Sequence, residues 1–296
     1  MRRWLTAVAI GGAAALALTG CGAPAGVDGN LTDDWPAISE PKVFVPAAGV
    51  CHPADEQTAL VSVYNPVDCA RPHLFETVHV GVFTGEHAQR LTPPPAGSPA
   101  ARAAFAECDR KTTEYVGGEW RDGRLGLAIR YAPGRAWAAG GRWFRCDVTE
   151  MVALDSWHET TRTASLAAAL TATSPLRFGC FNPRIVKKKV EGMEPVGCRT
   201  PHRSEYVGVH TAPDTTYDSF NSNRERTHEG CRDVLAAYAK VPNDERIRFR
   251  AGTFFYVPSR EAWADGDRGV HCFAYLSDRT LTRSIKGVGD KGLPVR

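Results

Sequence analysis

Two stretches of this 296-residue chain hold the residue types that could do chemistry, and they are one pattern written twice. The first is Cys69-Ala-Arg-Pro-His73-Leu-Phe-Glu76 and the second Cys198-Arg-Thr-Pro-His202-Arg-Ser-Glu205. A histidine and a glutamate three apart could ligate a metal or act as an acid–base pair. On a strand, however, residues three apart point to opposite faces, so a shared site needs a turn between them. In an oxidising compartment the cysteine is a disulfide partner before it is a thiolate ligand. Pro72 and Pro201 stand where a c-type haem attachment needs its second cysteine. The reading adopted is structural: the histidine is hydrogen-bonded beside a disulfide and the glutamate satisfies backbone donors. The opposing reading makes His73, Glu76, His202 and Glu205 the working groups of an enzyme or metal-dependent factor.

Other chemical signatures fail one by one. His158-Glu159 starts like a zinc-protease helix, but Thr160, Thr161 and Arg162 follow and the second histidine is missing. There is no Gly-x-Ser-x-Gly elbow, phosphate loop or dinucleotide fingerprint, and the carboxylates show no paired arrangement. Trp137 and Trp263 could stack on a sugar or peptide, although a large aromatic beside glycine usually plugs a small core. The expectation is therefore not an enzyme, with no catalytic residue, cofactor or metal. The candidate contacts for a partner are His73, Glu76, Trp137, His202, Glu205 and Trp263.

The elements that must position these residues repeat as well. Cys51 precedes Cys69 by eighteen residues, as Cys180 precedes Cys198. A third cysteine follows, Cys108 or Cys231, with a tyrosine seven residues later, Tyr115 or Tyr238. Trp137-x-x-Gly140 then leads to Cys146, and Trp263-x-x-Gly266 to Cys272. The pattern is an internal duplication of about 130 residues, too long for a solenoid, and implies two homologous units. Eight cysteines fall four to a unit. Four cysteines allow three pairings; we lean to Cys51–Cys69 with Cys108–Cys146, and Cys180–Cys198 with Cys231–Cys272.

The ninth cysteine has a different role. Arg2 and Arg3, the apolar run Trp4 to Ala17, and Leu18-Thr19-Gly20-Cys21 have the layout of a bacterial lipoprotein signal. Residues 1–20 are expected to leave, Cys21 to carry the lipid, and 21–42 to form a flexible tether. The protein should then sit, lipid-anchored, on the extracytoplasmic face of the cell membrane. Without Arg2 and Arg3 the formal charge of +3 falls to about +1, and no basic stripe remains to bind nucleic acid. Lys187-Lys188-Lys189 reads as a solvated loop or edge-strand guard.

Each unit reads as α+β, four or five mostly antiparallel strands with one helix across a face and two disulfides. The first unit spans 43–155, with strands at Leu60–Tyr64, Thr77–Phe83, Leu125–Tyr131 and Arg142–Val148. Its helix starts at Ser98-Pro99 and stops at Gly117-Gly118. Residues 156–177 read as a linker with little apolar mass to bury. The second unit spans 178–280, with strands at Glu205–His210, Gly252–Val257 and Gly269–Leu276 and a helix over Ser222–Lys240. Residues 281–296 read as a polar, mobile tail.

The whole pattern, from the first cysteine through Cys-x-x-Pro-His-x-x-Glu and a helical cysteine to Trp-x-x-Gly and a closing cysteine, resembles the actinobacterial septum formation domain family. The resemblance covers residues 49–148 and 178–277. It implies an envelope-associated, non-enzymatic domain linked to cell division, and it supplies no catalytic residues. The combined expectation is a protein that binds another envelope component, a protein or the cell wall. The alternative is an envelope enzyme or metal-dependent factor built on the repeated stretches.

Overall fold

Ser98 and Pro99 begin a helix for local reasons. The Ser98 hydroxyl accepts from the Ala101 amide at 3.2 Å, and proline at the first turn needs no hydrogen-bond donor. The helix, α1 (Pro99–Val116), ends where Gly117 takes the left-handed φ of 83° that glycine tolerates. Its Ala100, Ala104 and Cys108 face a sheet core that includes Trp143, Phe144 and Cys146. The computed structural model describes residues 43–54, 64–156, 158–187 and 189–295. Cys21, the signal 1–20, the tether through Lys42 and most of the expected strand Leu60–Tyr64 lie outside the described residues.

The first sheet contains β1 (Val50–His52), β2 (Phe75–Val82), β3 (Leu125–Tyr131) and β4 (Trp143–Glu150), in the order β1-β2-β4-β3. The second contains β5 (Cys180–Val186), β6 (Lys189–Val196), β7 (Ser204–Thr211), β8 (Gly252–Tyr256) and β9 (Gly269–Tyr275), in the order β6-β5-β7-β9-β8. All pairings are antiparallel. Without the added edge strand β6 the two orders coincide. The registers coincide too: Cys51 lies opposite Glu76 and Cys180 opposite Glu205. A bulge interrupts β2 between Thr77 and His79 and β7 between Tyr206 and Gly208, just before Cys146 or Cys272 is met on the neighbour. The duplication seen in the sequence is thus a duplication of topology.

In the second half α2 (Arg224–Ala239) takes the place of α1, capped by the Asn223 side chain and ended at Lys240. Disulfides Cys108–Cys146 and Cys231–Cys272 pin each helix to the penultimate strand in the sheet order, and Cys51–Cys69 and Cys180–Cys198 clasp each repeated stretch to its neighbouring strand. These are the pairings favoured from the sequence. Removing one such link typically costs about 2–5 kcal/mol in a small domain. Lys187 and Lys189 flank the β5–β6 turn at the sheet edge, where charge discourages edge-to-edge pairing.

Two expectations differ from the structure. The linker 156–177 does bury apolar mass: Leu166, Leu170 and Leu176 complete a first-half cluster with Val116, Trp120 and Val148. The tail after Leu281 packs as well, with Ile285 and Leu293 fully enclosed in the second-half core. Both segments looked weak because their apolar residues are few and widely spaced. Each closes one open end of a core instead of forming a periodic element.

Candidate functional site

The repeated histidines and glutamates sit at one place in each half. Glu76 is 1% exposed; its Oε1 accepts from the Tyr115 hydroxyl and from Ser165 Oγ at 2.5 Å, while Oε2 accepts from the Leu166 amide at 2.7 Å. Glu205 repeats this, accepting from the Tyr238 hydroxyl at 2.6 Å, the Ser284 hydroxyl, and the Ile285 amide at 2.8 Å. Burial and the bond to Glu76 push the Tyr115 phenol up to about 12, so it remains a donor. Each carboxylate thereby organises the segment that follows the last strand. His73 exchanges backbone hydrogen bonds with Arg162, and His202 with Leu281.

The donors carry a sequence signal that the shorter repeat boundaries left out. Thr163-Ala-Ser165-Leu166 and Thr282-Arg-Ser284-Ile285 are the same motif, one per half. Each repeat therefore extends through its supposed linker or tail, because a buried carboxylate needs donors that the rest of the repeat lacks.

The histidines are oriented alike. Nδ1 of His73 donates to the Arg71 carbonyl and Nδ1 of His202 to the Thr200 carbonyl, each at 2.8 Å. In both, Nε2 is buried without a hydrogen-bond partner. Trp137 and Trp263 are core plugs: their indole N–H groups donate to the Arg90 and Thr215 carbonyls, and Arg142 and Arg268 stack over the rings at 4.5 and 4.1 Å. All six expected contact residues are 2% exposed or less. They form the interior of the fold, so a partner would not touch them directly. The surface available to a partner lies elsewhere.

A cleft runs between the two halves. One lobe, about 220 Å³, is lined by Gly126, Met151 and Leu154 from the first half and by Phe178, Tyr256 and His271 from the second. A second lobe of about 400 Å³ shares Leu154 and Phe178 and adds Val152, Phe181, Met193 and Pro195. Apolar and aromatic walls with a few polar groups, at a junction between repeats, are the usual make-up of a binding site.

An ion cluster beside the cleft joins the halves. Arg121, just after α1, donates through Nε and Nη2 to Asp267 Oδ1 at 3.1 and 2.8 Å. It also meets Glu119 at 2.9 Å and Asp109 at 2.7 Å, and lies 4.2 Å over the Trp120 ring. The fit leaves no room at Gly269, where a Cβ would lie 2.3 Å from Arg121 Cδ. The Tyr206 hydroxyl crosses the same boundary to Asp122 Oδ1 at 2.9 Å. Sequence inspection missed these residues, because an ion pair spanning 146 positions leaves no local signature.

Burial, with the nearby Arg121 charge, pushes the His271 imidazole down from 6.5 to about 4. The folded state therefore takes up this proton later than the unfolded chain as pH falls. His271 should cost stability progressively from about pH 6.5 down to about pH 4, by at most about 3 kcal/mol. Denaturation of the wild type and His271→Asn across that range checks this: the variant should show the shallower pH dependence, and equal slopes would refute it.

These features define a class: a duplicated, disulfide-stapled α+β protein with a cleft between its halves. Against models of known families, residues 48–272 match the septum formation family, and the chain belongs to it. Neither the curated proteins nor the solved structures contain a match. Among the described residues, no helix is long and apolar enough to cross a membrane.

Proposed function

We propose that this protein is held by a lipid on Cys21 at the extracytoplasmic face of the membrane. There it serves septum formation by binding another envelope component, without a catalytic step of its own. Membership of the septum formation family supports the division and envelope role. Four disulfides favour an oxidising compartment. The observation that carries the binding reading is the cleft, whose walls come from both halves and which is apolar and open to solvent. The repeated glutamates accept from internal donors, which fits a role in holding each half together.

Complementation tests the reading. Cells lacking the chain should divide with misplaced or delayed septa, and the wild-type chain should restore them. Val152→Asp puts a charge on an exposed wall of the cleft and should fold normally but fail to restore septation. Cys21→Ala should move the protein from the membrane to the soluble fraction. Normal septation without the chain, or full rescue by Val152→Asp, would remove the proposal.

A further inference from the structure

One group in the second half has the composition of a metal centre locked in its oxidised form. An atom each of Cys180, His202 and Glu205 lies within 4.8 Å of the others, and all three residues are buried. Cys198 is bonded to Cys180 and lies just outside this group. Three further observations support a ligand here. His202 Nε2 is fully enclosed and has no hydrogen-bond partner. A carbonyl only accepts, so the bond to Thr200 places the ring proton on Nδ1 and turns the Nε2 lone pair inward. Metal-binding histidines are held by this same outer hydrogen bond. Glu205 is oriented by Tyr238, Ser284 and the Ile285 amide, the kind of support that a ligating carboxylate needs.

We propose that the Cys180–Cys198 disulfide is exchangeable, and that its reduced form binds one Zn²⁺ through Cys180, Cys198, His202 and Glu205. Cys198 is the half-buried residue of the pair and Cys180 the buried one, so attack from outside falls on Cys198. A thiolate of an external dithiol attacks Cys198 Sγ, the S–S bond breaks, and Cys180 leaves as a thiolate. The second thiolate of the reductant then attacks its own sulfur in the mixed disulfide and releases Cys198. Two electrons and two protons pass to the protein, and the reductant ends as a disulfide. Zn²⁺ displaces the two thiol protons to solvent. Tetrahedral N, O and S ligands of zinc lie about 3.3–3.8 Å apart, so Cys180, His202 and Glu205 must draw together into that range and Cys198 must swing in as the sulfurs separate. The first half is an internal comparison: there the clustered atoms belong to Cys51, Cys69 and Glu76, without His73. The proposal is independent of the envelope contact at the cleft.

The test uses the full chain with Cys21→Ser, reduced with a phosphine that competes poorly for metal, and Co²⁺ as the spectroscopic probe. The oxidised protein should take up no Co²⁺. The reduced, still folded protein should bind one per chain, with thiolate charge-transfer and tetrahedral d–d bands, and Zn²⁺ should displace it. His202→Asn should weaken binding at least tenfold, while His73→Asn leaves it unchanged. If His202→Asn does not fold, Cys180→Ser combined with Cys198→Ser should abolish the thiolate band of the tight site in its place. Absence of the bands on reduction, equal binding by the oxidised protein, or indifference to both second-half variants would overturn the proposal.

Discussion

Replacing Glu205 with alanine should destabilise the protein by about 3–5 kcal/mol, because it removes a buried carboxylate and strips the acceptor from two part-buried hydroxyls and one buried amide. The Tyr238 and Ser284 hydroxyls and the Ile285 amide all point at this one carboxylate. Its loss should also release residues 281–295, which are otherwise held by the His202–Leu281 backbone pair and by burial of Ile285 and Leu293. Denaturant unfolding gives the energy, and amide exchange locates the loosening. Glu76→Ala should do the same to residues 162–170, since Ser165 and Leu166 are the counterparts there. Tyr238→Phe removes one donor but leaves the carboxylate otherwise satisfied, so about 1 kcal/mol is expected. A loss below 1 kcal/mol in Glu205→Ala, with unchanged exchange in the tail, would show that the glutamate does not organise the repeat.

Arg121→Met should cost a similar amount, about 3–5 kcal/mol, for a different reason. Arg121 is 5% exposed and Asp267 8%, and removing the cation strands a buried carboxylate at the boundary between the halves. Burial already pushes the Asp267 carboxyl upward against the pull of Arg121, so the lone aspartate should take up a proton more readily still. Adding Asp267→Leu should recover much of the loss, since a well-packed apolar pair replaces a buried ion pair at little cost. The four-protein double-mutant cycle measures the coupling. A coupling energy below about 0.5 kcal/mol would mean that Arg121 acts through its stacking on Trp120 and not through charge.

The two halves also serve as controls for one another. Both retain the disulfides, the buried histidine and glutamate, the plug tryptophan and the closing serine. They diverge on one sheet face. In the first half, His52 Nε2 lies 3.0 Å from Thr77 Oγ1, which donates to Asp147 at 2.7 Å, and Asp147 pairs with Arg145 at 2.9 Å. The corresponding register in the second half is aromatic, with Phe181, Tyr206 and Phe273 packed together and Phe178 and Leu154 against them. Divergence on this face made one half apolar toward the cleft while the other kept a buried polar network.

Much of this architecture was legible in the chain alone. Cysteine spacing, the Ser98-Pro99 start, the Gly117 stop and the alternation through Thr77–Phe83 are local signals, and the duplication let each half check the other. Local chemistry suffices there, because helix caps and strand alternation are decided within a few residues. The candidate site was another matter. His73, Glu76, His202, Glu205, Trp137 and Trp263 stood out by type and repetition, yet repetition cannot separate a ligand contact from a core requirement. Only the tertiary structure decided that all six are interior, since burial depends on segments up to 90 positions away, such as Leu166 above Glu76. The cleft and the Arg121–Asp267 pair were invisible for the same reason: they exist only where two halves meet, and nothing in either half encodes that meeting locally.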